Sequence, residues 1–123
     1  MAGAGLSSFG AGRTRLDFRK LEPVEFKEGD WSDPAADVPA VQALALVLSG
    51  GGRVWLVGVG DDRIASEHGR QQGLARALAT RSVLVRSGAP ADRILVTGVA
   101  AEEAAGLTGQ EGNGPRVEAA VVR

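Results

Sequence analysis

Residues 54–62 read Val54-Trp55-Leu56-Val57-Gly58-Val59-Gly60-Asp61-Asp62, and this stretch decides the fold. Its first four residues are an apolar run of β-rich types that follows three glycines, which predicts a short buried strand. The strand ends where glycines free the backbone and two carboxylates arrive together. A helical segment follows, with Gly73 and Arg76 near its middle and Gly88 as its C-cap. A strand, an acidic glycine-rich corner and a helix that carries a cation together predict a site.

The length and composition of the chain limit the kinds of protein and partner that are expected. At 123 residues it is expected to be one domain, large enough to bury a core without disulfides. It has no cysteine, which excludes disulfides and thiolate metal sites. The 14 basic and 15 acidic residues leave a net charge of −1 without long runs of one sign, so nucleic acid is not an expected partner. Three phenylalanines and two tryptophans, with no tyrosine, are too few for a base-stacking surface.

The start of the chain is rich in Gly, Ala and Ser. Residues 1–20 are therefore expected to be a flexible lead-in or linker, and residues 21–123 the folded domain. Residues 1–9 lack the basic and apolar regions of a signal peptide. No segment approaches the roughly 18 consecutive apolar residues of a membrane span. Two alternatives stay open: a cytosolic protein, or a domain whose export signal or membrane anchor lies upstream.

The first half of the domain predicts a strand and a helix. Apolar and charged residues alternate over residues 24–27, which favours a strand, and Trp31 is expected to pack over one edge of the core. Asp37 is the expected N-cap of a helix that carries Pro39 in its first turn. The apolar residues of this helix fall on one stripe, which contains Val38, Val41, Leu44, Ala45 and Leu48.

The second half predicts a helix, a strand, a loop and a last strand. The buried stripe of the helix is expected to contain Leu74, Leu78 and Val85, helped by Ala75, Ala77 and Ser82. A third strand over residues 93–97, a long loop over residues 98–114 with one helical turn at 101–105, and a last strand over residues 117–122 follow. The predicted class is α/β, an α+β sandwich in βαβαββ order, with a mixed four-stranded sheet and helices packed on one face.

Four short motifs occur in order along the chain. They are Val-Gly-Val-Gly-Asp at residues 57–61, Arg-Ala at residues 76–77, Gly-Ala-Pro-Ala-Asp-Arg-Ile at residues 88–94, and Arg-Val-Glu at residues 116–118. In this order, with the first Arg fifteen positions after the Asp, they resemble the OmpA-like domain. This peptidoglycan-binding module also occurs in the Pal lipoprotein and the flagellar stator protein MotB. The resemblance covers about residues 24 to 122, which is most of the chain.

The resemblance implies a ligand and the residues that bind it. In the family, the Asp and the Arg bind the diaminopimelate residue of the peptidoglycan stem peptide. Asp61 would then pair with the ligand's ammonium group and Arg76 with its carboxylate. A guanidinium suits this role because it grips a carboxylate through two parallel hydrogen bonds. The further candidate ligand-binding residues are Gly60, Asp62, Gly69 and Arg116.

The resemblance also implies a setting for this binding. The expected function is non-catalytic anchoring to the cell wall, without a cofactor, at a periplasmic or cell-envelope location near the outer membrane. The expected partners are the peptidoglycan stem peptide and, as a further class, proteins of the envelope. Contact with a membrane is expected only through an anchor upstream of this chain.

The chain departs from the family pattern near the predicted site. Gly69, Gln72 and Gly73 stand where the family has Asn, Leu and Ser, and Val59-Gly60 replaces its (His/Tyr)-Thr pair. Pro115 replaces the first Arg of its Arg-Arg pair. These losses motivate an alternative function, in which the Asp and the Arg are a structural ion pair or two unrelated surface charges. The domain would then be an OmpA-like fold that has lost peptidoglycan binding and serves as a structural or protein-interaction module.

Catalytic and metal sites have little support in the sequence. His68 is the only histidine, and no Ser or Cys nucleophile motif accompanies it. Position 63 is Arg63, which breaks a dinucleotide-binding fingerprint after the strand, and no phosphate-binding Walker motif occurs. The acidic pairs at residues 61–62 and 102–103 are oxygen donors, but their spacing is more typical of solvated faces.

Overall fold

A mixed four-stranded sheet carries the helices of the protein. The computed structural model describes residues 17–32, 34–35, 38–109 and 114–122. The strands of these parts are β1 (Val24–Glu25), β2 (Arg53–Val59), β3 (Ile94–Val99) and β4 (Arg116–Val122). The helices are α1 (Pro39–Ser49), α2 (Ser66–Arg86) and α3 (Ala101–Thr108), and a short 3-10 turn over Ala91–Arg93 precedes β3.

Strand β2 is an inner strand of the sheet, with a neighbour on each side. The spatial order is β1-β4-β2-β3, with β3 parallel to β2 and β4 antiparallel to it, while β1 pairs antiparallel with β4. The register places Val59 beside Val99 on one side and Arg116 on the other. The predicted mixed sheet is therefore confirmed, although β1 ends two residues earlier and β3 two residues later than the sequence pattern indicates.

Helix α1 packs as its apolar stripe predicts. It begins after the extended residue Val38, and Pro39 occupies its first turn. The N-cap predicted at Asp37 lies outside the described residues. The helix ends at Ser49, after which Gly51 takes a φ of +90°, a value that glycine adopts at no steric cost. Its buried residues, Ala40, Val41, Leu44 and Leu48, join the main core.

The buried face of helix α2 differs from the predicted one. Leu74, Leu78 and Val85 are 37–41% exposed, so the stripe predicted from these apolar residues is wrong. The helix instead buries the small and polar residues of another face, together with two apolar residues near its C-terminal end: Gly69, Gly73, Arg76, Ala77, Ala79, Thr80, Val83 and Leu84. Close approach of the helix backbone to the sheet at Gly69 and Gly73 explains this difference, because no larger residue fits at those two points.

Glycines allow the backbone of α2 to lie directly on β2. A Cβ added to Gly58 would stand 1.7 Å from the Gly73 carbonyl oxygen, and one added to Gly60 would stand 2.3 Å from the Gly69 carbonyl oxygen. No side chain larger than hydrogen fits at these contacts without a shift of the backbone. Gly73 therefore packs closely on the sheet, and its partner is the strand glycine Gly58.

Helix α3 lies within the segment that the sequence pattern predicts as a long loop. Residues 101–108 form a helix of eight residues, where the sequence pattern indicates a single turn. The Glu103 side chain accepts a hydrogen bond from the Ala100 backbone N–H at 2.9 Å, which satisfies a free donor at the helix start. Gly109, with a φ of +74°, ends the helix in the left-handed conformation. The sequence pattern did not predict the full helix, because this Gly- and Ala-rich segment has few apolar residues with a helical period.

Apolar residues also cover the other face of the sheet. Phe18 is only 3% exposed and packs with its ring 6.0 Å from that of Trp55, although it precedes residue 21, the expected start of the domain. The cluster around this pair contains Val57, Val59, Val99, Ala101, Ala104, Leu107 and Ala120. Trp31, by contrast, is 50% exposed, so the prediction that it packs over the core is wrong.

Candidate functional site

Asp61 and Arg76 meet at the C-terminal end of β2. The Arg76 Nη2 atom donates to the Asp61 Oδ1 atom at 2.6 Å. The fold produces this contact because Asp61 follows β2 after one glycine, and α2 returns along the same strand with its backbone close to it. The predicted fifteen-residue spacing therefore joins the two charges in space. The Arg76 side chain is fully buried, and that of Asp61 is nearly so.

The guanidinium of Arg76 is bound entirely by groups of its own chain. Its Nη1 atom donates to the Val59 carbonyl oxygen at 2.9 Å, and its Nε atom donates to the Asp30 carbonyl oxygen at 2.9 Å. The ring of Phe26 lies 5.8 Å from the guanidinium carbon, within the range of a cation–π contact. Each of the three guanidinium nitrogens thus donates a hydrogen bond, and the Phe26 ring contacts the guanidinium face.

A segment that we name the strap, residues 26–31, crosses the ion pair. Its Gly29 backbone N–H donates to the Asp61 Oδ2 atom at 2.9 Å. The strap turns tightly, since the Asp30 N–H donates to the Lys27 carbonyl oxygen at 3.0 Å and Gly29 takes a φ of +76°. The Ser32 N–H binds the Asp30 carboxylate at 2.8 Å and holds the pKa of that carboxyl below its usual value.

Gln72 binds the other side of the aspartate. Its Oε1 atom accepts a hydrogen bond from the Asp61 backbone N–H at 2.9 Å, and its Nε2 atom lies 3.5 Å from the Asp61 Oδ2 atom. Every buried side-chain nitrogen and oxygen in the described part of the chain has a hydrogen-bond partner. The buried charges are therefore compensated, which burial of ions in a protein interior requires.

A pocket of about 430 Å³ opens beside the ion pair. Gln72 belongs to its wall and links it to Asp61. The lining mixes apolar side chains with amides and an imidazole: Trp31, Ile64, His68, Gln71, Gln72 and Ala75. Asp61 and Arg76 do not belong to this lining, so Gln72 is the link between the cavity and the ion pair, and the strap contributes Trp31 to the edge of the cavity.

The neighbouring candidates from the sequence have other surroundings. Gly60 donates its backbone N–H to the Val99 carbonyl oxygen at 3.0 Å, and the space beside its Cα belongs to the backbone of Gly69. Gly69 itself packs against Ala100, with 3.1 Å between that residue and an added Cβ. These two glycines pack α2 onto the sheet. Asp62 is exposed beside the site.

Arg116 lies at the same end of the sheet but in a separate ion pair. It begins β4 opposite Val59, and its Nε atom donates to the Glu118 Oε2 atom at 2.7 Å. Its Nη1 atom donates to the Gly114 carbonyl oxygen at 2.8 Å. Both partners of the ion pair are buried. Because side chains alternate along a strand and Val117 joins the main core, Arg116 lies on the opposite face of the sheet from Arg76.

The structure adds site residues that the sequence reading missed. Gln72 has a clear role beside Asp61, and the strap provides Gly29 and Asp30 through backbone atoms. Backbone contacts leave no residue-type signal in a sequence. For Phe26 and Gln72 a weak signal existed, because Phe26 alternates with charged residues and Gln72 replaces a family leucine in the helix, one turn before Arg76.

A polar bridge joins α2 to α3 near the site. The Arg70 Nε atom donates to the Glu103 Oε1 atom at 3.0 Å, which lowers the pKa of Glu103 and raises that of Arg70. Ser66, at the start of α2, donates to the Glu102 carboxylate, and this hydrogen bond lowers the pKa of Glu102. Both carboxylates therefore have partners within the chain.

The described ranges contain neither a cluster of metal ligands nor a membrane-spanning helix. Within residues 17–32, 34–35, 38–109 and 114–122, no three His, Asp or Glu side chains are grouped closely enough to hold a metal ion. The helices of these ranges are too short or too polar to cross a bilayer.

Comparison with solved structures identifies the fold. The OmpA-like domain of FopA1 from Francisella tularensis subsp. tularensis SCHU S4 matches with a TM-score of 0.64 and 15% identity, over 81% of this chain and 70% of that one. The peptidoglycan-associated lipoprotein from Burkholderia pseudomallei matches with a TM-score of 0.59 and 19% identity, over 82% of this chain and 89% of that one. No family model and no curated protein sequence matches the chain. The resemblance predicted from the sequence is thus confirmed at the level of structure, and the chain has the fold of OmpA-like domains.

Proposed function

We propose that this domain binds peptidoglycan without catalysis and anchors its parent protein in the cell envelope. The observation that carries the proposal is the buried Asp61–Arg76 pair beside an open pocket at the end of β2. It joins the two charges that the resemblance to the OmpA-like family assigns to the ligand. One solved structure of this fold is named as a peptidoglycan-associated lipoprotein.

The chemistry of the pair suits a zwitterionic group such as that of diaminopimelate in the stem peptide. Asp61 offers a carboxylate to the ammonium, and Arg76 offers N–H groups to the carboxylate. Hydrogen bonds to charged groups contribute about 1.5–3 kcal/mol each, so two of them support useful affinity. The pocket lined by Trp31, His68 and Gln72 has room for the neighbouring atoms of the peptide.

Titration of the ¹⁵N-labelled domain with a diaminopimelate-containing muropeptide tests the proposal. We expect saturable amide shifts on residues 58–62 and around Arg76. Asp61→Asn and Arg76→Lys keep similar shapes but weaken the charge-assisted contacts, so each should lower affinity about tenfold or more. Asp92→Asn is the matched control, because Asp92 is exposed in the 3-10 turn before β3, at the other end of the sheet.

A loss of affinity in a variant supports the proposal only if that variant is still folded. Each variant's amide spectrum in the absence of ligand should keep the dispersion of a folded domain, and its unfolding midpoint in urea should be measured. A flat titration of wild-type protein at millimolar muropeptide would contradict the proposal. Equal affinity of wild type, Asp61→Asn and Arg76→Lys would place the ligand elsewhere on the domain.

One observation favours a second function, that of a structural or protein-interaction module. Three acceptors inside the domain already bind the Arg76 guanidinium, and the side chain has no exposed surface. In addition, Leu74, Leu78 and Val85 expose apolar surface along one side of α2. This reading expects a flat titration together with self-association, which sedimentation velocity measures, and Leu78→Glu should abolish that association.

A further inference from the structure

The strap contacts the ion pair through one backbone hydrogen-bond donor and one backbone acceptor. Asp61 receives a hydrogen-bond donor, the Gly29 N–H, and Arg76 receives an acceptor, the Asp30 carbonyl oxygen. A zwitterionic ligand brings the same arrangement, with an ammonium donor for the aspartate and a carboxylate acceptor for the arginine. The strap therefore satisfies both charges with backbone dipoles in place of full charges.

We propose that the strap is a built-in competitor of the ligand. Gly29 and Asp30 occupy the bonding positions on Asp61 and Arg76 that a zwitterionic amino-acid group takes, and the ligand binds by displacing them. This inference rests on the proposed function and adds a mechanism to it. Full burial of Arg76 requires such a step, because no outside group reaches the guanidinium while the strap is closed.

The strap is built to open without unfolding the domain. It leaves the sheet at β1, which has only two residues, and the Phe26 N–H bonds the Pro115 carbonyl oxygen at 3.1 Å at its start. Phe26 packs against the main core, and beyond that residue the strap meets the ion pair through two backbone hydrogen bonds, besides the contact of the Phe26 ring with Arg76. Segments held by few contacts open at a low free energy relative to global unfolding.

The ligand has an electrostatic advantage over the strap. The strap's bonds to Asp61 and Arg76 are already charge-assisted, because one group in each is ionised, but a second full charge adds Coulomb attraction that is stronger in a buried site than in water. The peptide N–H and C=O of the strap are neutral, whereas an ammonium and a carboxylate add charge on both sides. Because only molecules with an open strap bind, the apparent affinity is the intrinsic affinity multiplied by the fraction of molecules in which the strap is open. The closed strap keeps the buried charges hydrogen-bonded when no ligand is present.

Gly29 gives a specific way to weaken the closed strap. Its φ of +76° is strained for any side chain, yet an added Cβ would have no atom within 4 Å, so Gly29→Ala changes the backbone preference alone. Gly109 is the matched control. It has a φ of +74° and equally open space, and it ends α3 away from the strap. Both alanine variants should therefore bear the same local strain.

The experiment measures the closed strap and the ligand separately, on the whole domain. Solvent exchange of the Arg76 Nε–H, observed by NMR without ligand, reports the bond to Asp30. We expect slow exchange in wild type and in Gly109→Ala, and faster exchange in Gly29→Ala. A diaminopimelate-containing muropeptide should bind Gly29→Ala about fivefold more tightly than Gly109→Ala.

The outcomes separate this inference from the proposed function. If wild type binds the muropeptide and Gly29→Ala binds no more tightly than Gly109→Ala, the strap does not compete and the inference alone falls. Fast exchange of the Arg76 Nε–H in wild type would also overturn it, since the strap would then be open already. If neither wild type nor any variant binds at millimolar muropeptide, both the proposed function and this inference are wrong.

Discussion

Along its N-terminal half, helix α2 lies with its backbone on strand β2, whereas along its C-terminal half side chains separate the helix from the sheet. Gly58 and Gly73 define the first region, where an added Cβ would meet a backbone oxygen at 1.7 Å. Val83 and Leu84 define the second region, where they join the main core with residues of α1. The helix therefore approaches the sheet most closely at the end that carries the ion pair.

The difference has a consequence for the site. A core made of apolar side chains adjusts to small changes by repacking, whereas two backbones in contact leave no side chain that can adjust. The glycine contact thus fixes the distance between α2 and the end of β2. Asp61 follows that end, and Arg76 lies one turn after Gly73, so the contact also fixes the ion pair.

The largest effect is expected from Gly58→Ala. The new methyl group would overlap the Gly73 carbonyl oxygen, and relief requires the helix to move away from the strand. We expect a loss of about 4 kcal/mol or more in the free energy of unfolding, at the upper end of single substitutions. Urea denaturation followed by circular dichroism measures it.

Gly106→Ala is the control for Gly58→Ala. Gly106 lies inside α3, and an added Cβ would have no atom within 4 Å. Alanine favours a helix over glycine, so this variant should be unchanged or more stable by about 0.5–1 kcal/mol. A Gly58→Ala protein as stable as Gly106→Ala would show that backbone contact does not hold the N-terminal half of α2.

This comparison also explains which features the sequence predicts. The strand at residues 54–57 and helix α1 follow from local apolar patterns, and the contact between Asp61 and Arg76 follows from a known motif spacing. The face of α2 does not follow, because the apolar pattern points to Leu74 and Leu78. Glycine contact with a distant strand overrides that pattern, and a single sequence does not reveal such a partner.

The strap and α3 escaped prediction for related reasons. The strap reaches the site through the backbone N–H of Gly29 and the carbonyl of Asp30, which any sequence possesses. Helix α3 is stabilised at its start by Glu103 and packs through Ala104, a small residue with a weak apolar signal. In both segments, tertiary contact supplies what the local pattern lacks.

A smaller effect is expected from Arg76→Met, which keeps the length of the side chain and removes its charge. Asp61 would remain buried without its cationic partner, which costs about 3 kcal/mol in the free energy of unfolding. Adding Asp61→Asn should restore part of that loss, since it removes the uncompensated charge. Urea denaturation of the single and double variants at neutral pH measures both.

Arg81→Met makes the same change in the C-terminal half of α2. Arg81 is half-buried, and its Nη2 atom donates to the Ala91 carbonyl oxygen at a long 3.4 Å. We expect a loss of less than about 1 kcal/mol. Equal losses in Arg76→Met and Arg81→Met would mean that the ion pair contributes no more to stability than a weak surface contact, and the contrast between the two halves would fail for charges.

The smallest effect concerns the bridge from Arg70, in the N-terminal half of α2, to Glu103 in α3. Arg70 and the Ala100 N–H lower the pKa of Glu103 in the folded protein below its ordinary value of 4.5. The bridge therefore contributes stability above about pH 4.5, and this contribution is lost as the pH falls through the lower folded value, because the unfolded chain binds the proton first. The Arg70 side chain is 53% exposed and that of Glu103 is 34% exposed, so solvent screens the pair and the change is small.

Arg70→Gln removes the main cause of that shift and keeps a polar side chain. Unfolding midpoints in urea, measured from about pH 6 to pH 3, should fall less steeply for Arg70→Gln than for wild type. Arg81→Gln, in the other half of the helix, should retain the wild-type slope. Parallel profiles for all three proteins would mean that Glu103 gains nothing from Arg70 on folding. In that case the glycine contact and the buried pair alone would hold the N-terminal half of α2 in place.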